Sequence, residues 1–169
     1  MTDDETKPRR RGIKLFDFAD AAELFSTGMM SMPVATPAAD DQMLEWGLSH
    51  GHVVKVLFRD GDDGPSLVWS WFGPNYTLPR HSHSADCVYY VVKGEAHLGN
   101  QVVNAGSGFF VPADAPYAYT AGPEGIEILE FRSVGQFDMK ITESLPGWDQ
   151  IVAGVREHDD AWAKDPARG

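Results

Sequence analysis

The sequence predicts an all-β domain, an antiparallel barrel or sandwich, on three observations. Short runs rich in β-branched and aromatic residues follow one another from about residue 44: HVVKVLFRD, SLVWSWF, CVYYVVKGEAHLG, QVVNAGSGFFVPA, YAYTA and EILEFRS. Between them lie DGDDGP, GPNYTLP, KG and GPEG, turn signals at short intervals, a spacing that argues against a doubly wound α/β fold. A chain of 169 residues, 43% hydrophobic and 11% aromatic, is long enough for one domain with a sizeable core.

Taken in order, residues 1–12 read as a polar, disordered tail. Residues 13–43 read as an arm in which Phe18, Ala21, Ala22 and Phe25 at helical spacing predict a short helix before a Pro33 to Pro37 loop. Residues 44–134 form the barrel, and 135–169 a C-terminal extension. In that extension Trp148, Ile151, Val152 and Val155 recur at i, i+3, i+4 and i+7, the apolar stripe of a helix packed on the barrel.

Charge narrows the function classes. The formal net charge is -11 and the isoelectric point about 4.8, a field that repels phosphate backbones and anionic membrane surfaces. The basic cluster of Lys7, Arg9, Arg10, Arg11 and Lys14 lies in the polar tail and reads as solvated. Asp17, Asp20 and Glu23 interrupt the stretch after the arginines, so it lacks the apolar run of an export signal. No run approaches the ~18 apolar residues of a membrane span. Cys87 is the only cysteine and has no partner within the chain, which agrees with a reducing cytoplasm. The expected setting is cytoplasmic, with no nucleic acid and no membrane as partners.

HSHSADCVYYVVKGEAHLG, residues 81–99, carries the chemistry. Successive strand residues point to opposite faces, so His81 and His83 share a side, and Cys87, Tyr89 and Val91 continue it. Val88, Tyr90 and Val92 face the other way, and both faces are apolar enough to be buried. Asp86 is turned away from the histidines unless a bulge intervenes. His50 and His52 form a second HxH that reads as a loop. His97 follows an expected hairpin turn at Lys93 and Gly94 and is a reserve ligand.

These residues resemble the first motif of the cupin superfamily: glycine, H-x-H, a glutamate three or four residues on, then six residues and a glycine. His81, His83 and Gly94 fall in place, and Cys87 stands on the glutamate position. Seven residues separate Gly73 from His81 where the family has five. GSGFFVPADAPY resembles the second motif: Gly106 and Pro112 match, Asp114 replaces a glycine and Tyr117 replaces the histidine. Asp tolerates positive φ, so the turn survives that exchange. The resemblance covers roughly residues 50–133 and implies a cupin double-stranded β-helix, a jelly-roll-like barrel with short N-terminal and C-terminal helices.

The resemblance further implies a divalent transition metal, iron, zinc, nickel, manganese or copper, held by His81, His83 and Cys87. A thiolate in the set favours softer ions. Cysteine dioxygenases, also cupins, carry cysteine at the glutamate position but keep three histidines. The aromatic content suits a small organic ligand. Tyr117 and Tyr119 are the expected catalytic residues, and Arg80, Trp69, Trp71, Tyr76, Tyr89 and Phe109 the expected substrate contacts. By family analogy the reaction is dioxygenase-like. The alternatives are a non-catalytic binding or sensor barrel with a degenerate site, and a metal-independent isomerase or epimerase using histidine and tyrosine as base and acid. Family habit implies a homodimer.

Overall fold

The computed structural model describes residues 12–32 and 40–168. Most of the expected tail and the Pro33 to Pro37 loop therefore lie outside the described residues. The elements run β1 (Ala22–Glu23), β2 (Met30–Ser31), α1 (Asp40–Gly47), β3 (His52–Arg59), β4 (Ser66–Phe72) and β5 (His81–His83). They continue with β6 (Cys87–Leu98), β7 (Gln101–Asn104), β8 (Gly108–Val111), β9 (Thr120–Arg132), β10 (Phe137–Ile141) and α2 (Leu145–Trp162). One sheet has the order β1-β3-β4-β9-β6-β7, with β8 also on β6, and a second has β2-β10-β5. Pairing is antiparallel except for the short β2/β10 contact.

Alternation along β6 buries Cys87, Tyr89 and Val91 and leaves Val88, Tyr90 and Val92 half-exposed. The expectation that both faces are covered is corrected: the inner face is core and the outer face meets solvent. The helices cover a different region. α1 and α2 pack on each other, and Trp46, Trp148, Ile151, Val155 and Trp162 join one buried cluster with Trp71, Phe72 and Tyr76. Ser144 caps α2 by accepting from the Gly147 amide. The expected stripe Trp148, Ile151, Val152 and Val155 is buried, at about 1.5–3 kcal/mol per large apolar side chain.

Three local expectations change. Residues 18–26 form two 3-10 turns, Phe18–Asp20 and Leu24–Ser26, around β1. The backbone there pairs with β3, and Phe18 leaves the helical stripe to meet Trp69 edge-on at 4.9 Å. Lys93 and Gly94 lie inside β6, and the reversal comes at Gly99 and Asn100. Gly94 has φ 74 and sits where a Cβ would lie 2.0 Å from the Gly125 carbonyl oxygen, so only glycine fits. The GPEG segment is a bulge within β9: Ala121 pairs with Ala96 and Ile126 with Gly94, leaving 122–125 to loop out. A strand also forms past residue 134, since β10 pairs with the histidine strand, Ile141 opposite His81 and Met139 opposite His83.

Candidate functional site

β5 is held from both sides. β10 flanks one edge, and on the other His81 exchanges both backbone hydrogen bonds with Tyr117, at 3.0 and 2.9 Å. The Asp114 amide donates to the His83 carbonyl at 2.7 Å, and Asp114 has φ 60, the left-handed turn that aspartate tolerates in place of glycine. His81 and His83 therefore project to one side with ring centroids 5.0 Å apart. His81 Nδ1 faces the Pro79 carbonyl at 2.6 Å and His83 Nδ1 the Asp138 carbonyl at 2.7 Å. A carbonyl only accepts, so each Nδ1 carries the proton and each Nε2 is left as an acceptor. Burial lowers the affinity of both rings for a second proton, and with help from Arg132 and His81 brings His83 down to about 4.

Tyr117 occupies the position across from His81, ring to ring at 4.4 Å. Its hydroxyl hydrogen-bonds that of Tyr89. Tyr119 stacks beyond it at 6.4 Å. Burial pushes all three phenols above their ordinary range, so they stay protonated. Phe109 stacks on Tyr89 at 4.6 Å.

The sequence reading missed Glu130 and Arg132. On β9 the inward series is Ile126, Ile128, Glu130, Arg132, and the register sets Glu130 opposite Tyr89. Arg132 Nη2 donates to Glu130 Oε2 at 2.8 Å and to the Tyr89 hydroxyl at 3.4 Å, while Ser70 donates to Glu130 Oε1 at 2.7 Å. The guanidinium lies 4.0 Å over the Phe137 ring. Burial pushes the Glu130 carboxyl up, but Arg132 and the hydrogen bonds outweigh it and hold it below the usual range. The visible signal was an acid and a base in the inward phase of an apolar strand.

His81, His83, Tyr89, Tyr117, Tyr119, Glu130 and Arg132 all line one cleft. The cavity is about 60 Å³, small beside the ~150 Å³ that admits benzene, so a larger ligand extends through the open mouth. The arm, α1 and β10 also line the cleft, with Leu24, Phe25 and Met30, with Trp46, and with Phe137 and Met139. His52 also lines it, on a strand where a loop was expected, stacked 5.9 Å from Trp46 and brought down to about 4 by burial and Arg168.

The other expected residues lie elsewhere. Arg80 is exposed and its amide donates to Glu143. Trp69 and Trp71 occupy the opposite strand phase from Ser70, outside the cleft. Tyr76 is buried behind His52, 3.0 Å from its Nδ1, and Phe109 lies behind Tyr89. Cys87 is buried but does not line the cleft. Its thiol lies 3.8 Å from the Val88 carbonyl and also meets Tyr89 and the Phe131 backbone, and burial pushes it up to about 12. His50 pairs with Asp159 and His97 with Glu95, both away from the cleft.

The donor set decides how a resident metal fits. Among the described residues no three His, Cys, Asp or Glu side chains come together as a metal-holding group. The thiol is protonated, Tyr117 is a neutral phenol, and Glu130 is engaged by Ser70 and Arg132. The Arg132 charge disfavours added positive charge at His83, whereas at His81 the Glu130 carboxylate outweighs it, so the decisive point is the number of free donors. Two imidazoles are not the three or four ligands a tightly held catalytic ion needs.

No family model matches the sequence, and no curated protein matches it. Solved structures do. The polyketide cyclase RemF from Streptomyces resistomycificus is 21% identical over 60% of this chain and 78% of its own, with a TM-score of 0.51. An RmlC-like cupin from Shewanella frigidimarina is 26% identical over 52% of this chain and 80% of its own, with a TM-score of 0.44. The fold is that of a cupin. Oxalate decarboxylase from Bacillus subtilis is a third similar structure, 17% identical over 53% of this chain with a TM-score of 0.45, and this chain covers 28% of its length. In this cupin barrel β5 and the 106–117 turn face each other as the two motifs imply, with tyrosine across from the first histidine. No helix among the described residues is long and apolar enough to cross a membrane.

Proposed function

We propose that this cupin binds a small, hydroxyl-bearing organic molecule without a resident metal. The observation that carries the reading is the pair of imidazoles fixed by carbonyls at Nδ1, which offers two Nε2 acceptors in an aromatic-walled cleft. Acceptors so placed match a ligand with neighbouring O–H donors, and Tyr117 adds a protonated phenol within reach of the same ligand atoms. Glu130 holds Arg132, Arg132 donates to the Tyr89 hydroxyl, and Tyr89 hydrogen-bonds Tyr117. With His83 at about 4, the ring is a hydrogen-bond acceptor and a weak base near neutral pH. Any turnover here is proton transfer between ligand and these groups, with Tyr117 as acid and His81 or His83 as base, an isomerase-type reaction. RemF is named a polyketide cyclase, which puts oxygenated carbon skeletons first among ligands to screen. The proposal places the protein in the cytoplasm, where its lone buried thiol stays reduced.

One observation favours a second reading. Histidines tied at Nδ1 to backbone carbonyls are oriented as metal ligands commonly are, and a divalent ion shared with ligand oxygens would use the same two Nε2 atoms. Thermal shift with dihydroxylated and monohydroxylated aromatics, with and without a strong chelator, separates the two. Stabilisation that survives the chelator and is lost in His83→Phe supports the metal-free reading. Stabilisation that requires added metal overturns it.

A further inference from the structure

Arg132 carries more hydrogen-bond donors than the protein uses. Its side chain is 1% exposed and lines the cleft, and it stands on β9, held between β4 and β6 in the larger sheet. A guanidinium has five N–H groups and no acceptor. Nη2 donates to Glu130 and to the Tyr89 hydroxyl. Nε and Nη1, with three N–H between them, have no acceptor among the described residues. The Phe137 ring covers the face of the guanidinium at 4.0 Å and leaves those edges unpaired.

A buried donor without a partner is costly, and more so on a charged group. Three of them on one wall of a ligand cleft call for an acceptor that arrives from outside. Their surroundings set its character. His83 meets the same Phe137 ring edge-on at 5.3 Å, so imidazole and guanidinium share one part of the cleft. The imidazoles want an O–H donor, whereas the guanidinium wants a group that only accepts. An ionised carboxylate only accepts, and its bond to a guanidinium is charge-assisted. Glu130 is the one acid lining the cleft, and Ser70 and Arg132 already hold it. One further negative charge on the free edges is matched by the cation there. A dianionic phosphate would be repelled by Glu130 and is bulky for a cavity of about 60 Å³.

We infer, building on the hydroxyl-bearing ligand proposed above, that Arg132 anchors a carboxylate: the cleft takes a small hydroxy acid, with a hydroxyl on the Nε2 atom of His81 or His83 and its carboxylate on Nε or Nη1 of Arg132. The guanidinium then has two tasks, holding Tyr89 through Nη2 and selecting an acid through its remaining edges.

The probes are 3-hydroxybenzoate, 3-hydroxybenzamide and benzene-1,3-diol, which share one ring and one hydroxyl and differ in the second substituent. They are titrated by calorimetry into the unmodified full chain at neutral pH with a strong chelator present. The acid is expected to bind about tenfold or more tightly than the amide and the diol, as for one charge-assisted hydrogen bond. Equal affinity of acid and amide overturns the inference, while binding of the diol in the same experiment upholds the hydroxyl-bearing ligand class. Failure of all three to bind overturns both. Glu130→Gln, nearly isosteric, removes the carboxylate that shares the guanidinium and is expected to widen the preference for acid over amide severalfold. Arg132→Met is expected to abolish that preference, with dichroism establishing that the variant is folded. If it does not fold, the unmodified chain and Glu130→Gln decide. A preference for the acid that persists in folded Arg132→Met puts the carboxylate elsewhere and overturns the inference.

Discussion

Replacing Arg132 with Met removes a buried cation while keeping an apolar stem over Phe137. Glu130 is then left with Ser70 as its remaining hydrogen-bond partner in a buried setting. Breaking a buried pair by removing one partner costs about 3–5 kcal/mol, which for a chain of this size lowers the melting temperature by about 6–20 °C. The pH dependence changes sign as well. In the unmodified protein the carboxyl is held below its ordinary value, so its stabilising contribution is present above about pH 4.3 and is lost as pH falls through the lower folded value. Without Arg132, burial, the largest influence, is opposed only by the Ser70 hydrogen bond and His83, and is expected to raise the carboxyl above its ordinary value. The variant is therefore most penalised at neutral pH and recovers relative to the unmodified protein on acidification. Urea titrations at several pH values, with Glu130→Gln and the double variant completing a cycle, measure the coupling. A loss below about 1 kcal/mol with an unchanged pH slope would refute the reasoning, as would a double variant that loses the full sum of the singles.

Other expectations follow from the same structure. His52 and His83, both brought down to about 4 mainly by burial, take up protons on unfolding. Stability should therefore fall from about pH 6.5 towards pH 4, each histidine contributing on the order of 3 kcal/mol, and His52→Phe should flatten that slope in a thermal melt. Asp114 at φ 60 should tolerate Gly with little change, whereas Val should cost about 1–2 kcal/mol, read by denaturant midpoint. Tyr117→Phe should keep the ring contact with His81 and weaken ligand binding by about 1 kcal/mol, the net contribution of one hydrogen bond, measured by calorimetry with the best hydroxylated ligand.

The parts of this protein legible in its sequence are those set by local spacing. Alternation put His81 and His83 on one side, the second motif put Asp114 at a positive-φ turn and Tyr117 next to the histidine strand, and the i, i+3, i+4, i+7 stripe marked α2 and its buried Trp148. Lys93 and Gly94 looked like a turn because glycine marks reversals, yet Gly94 is glycine for the carbonyl of Gly125, which a local window does not contain. Trp69 and Trp71 looked like pocket residues because they alternate, but alternation fixes only which residues share a face. Which face becomes the interior depends on the sheet's neighbours.

Tertiary structure alone decided the composition of the cleft. Glu130 and Arg132 meet Tyr89 because β9 pairs with β6 in one register, some forty residues away along the chain. Trp46 and Phe25 reach the cleft because α1 and the arm fold back over the strands, and His52 reaches it from the start of β3. Those contacts are long-range pairings whose partners carry no mark of one another in sequence. The sequence by itself determined a β-barrel and a histidine pair on one of its strands; the buried ion pair, the protonated tyrosines and the thiol outside the cleft were settled only when the sheets closed and water was excluded.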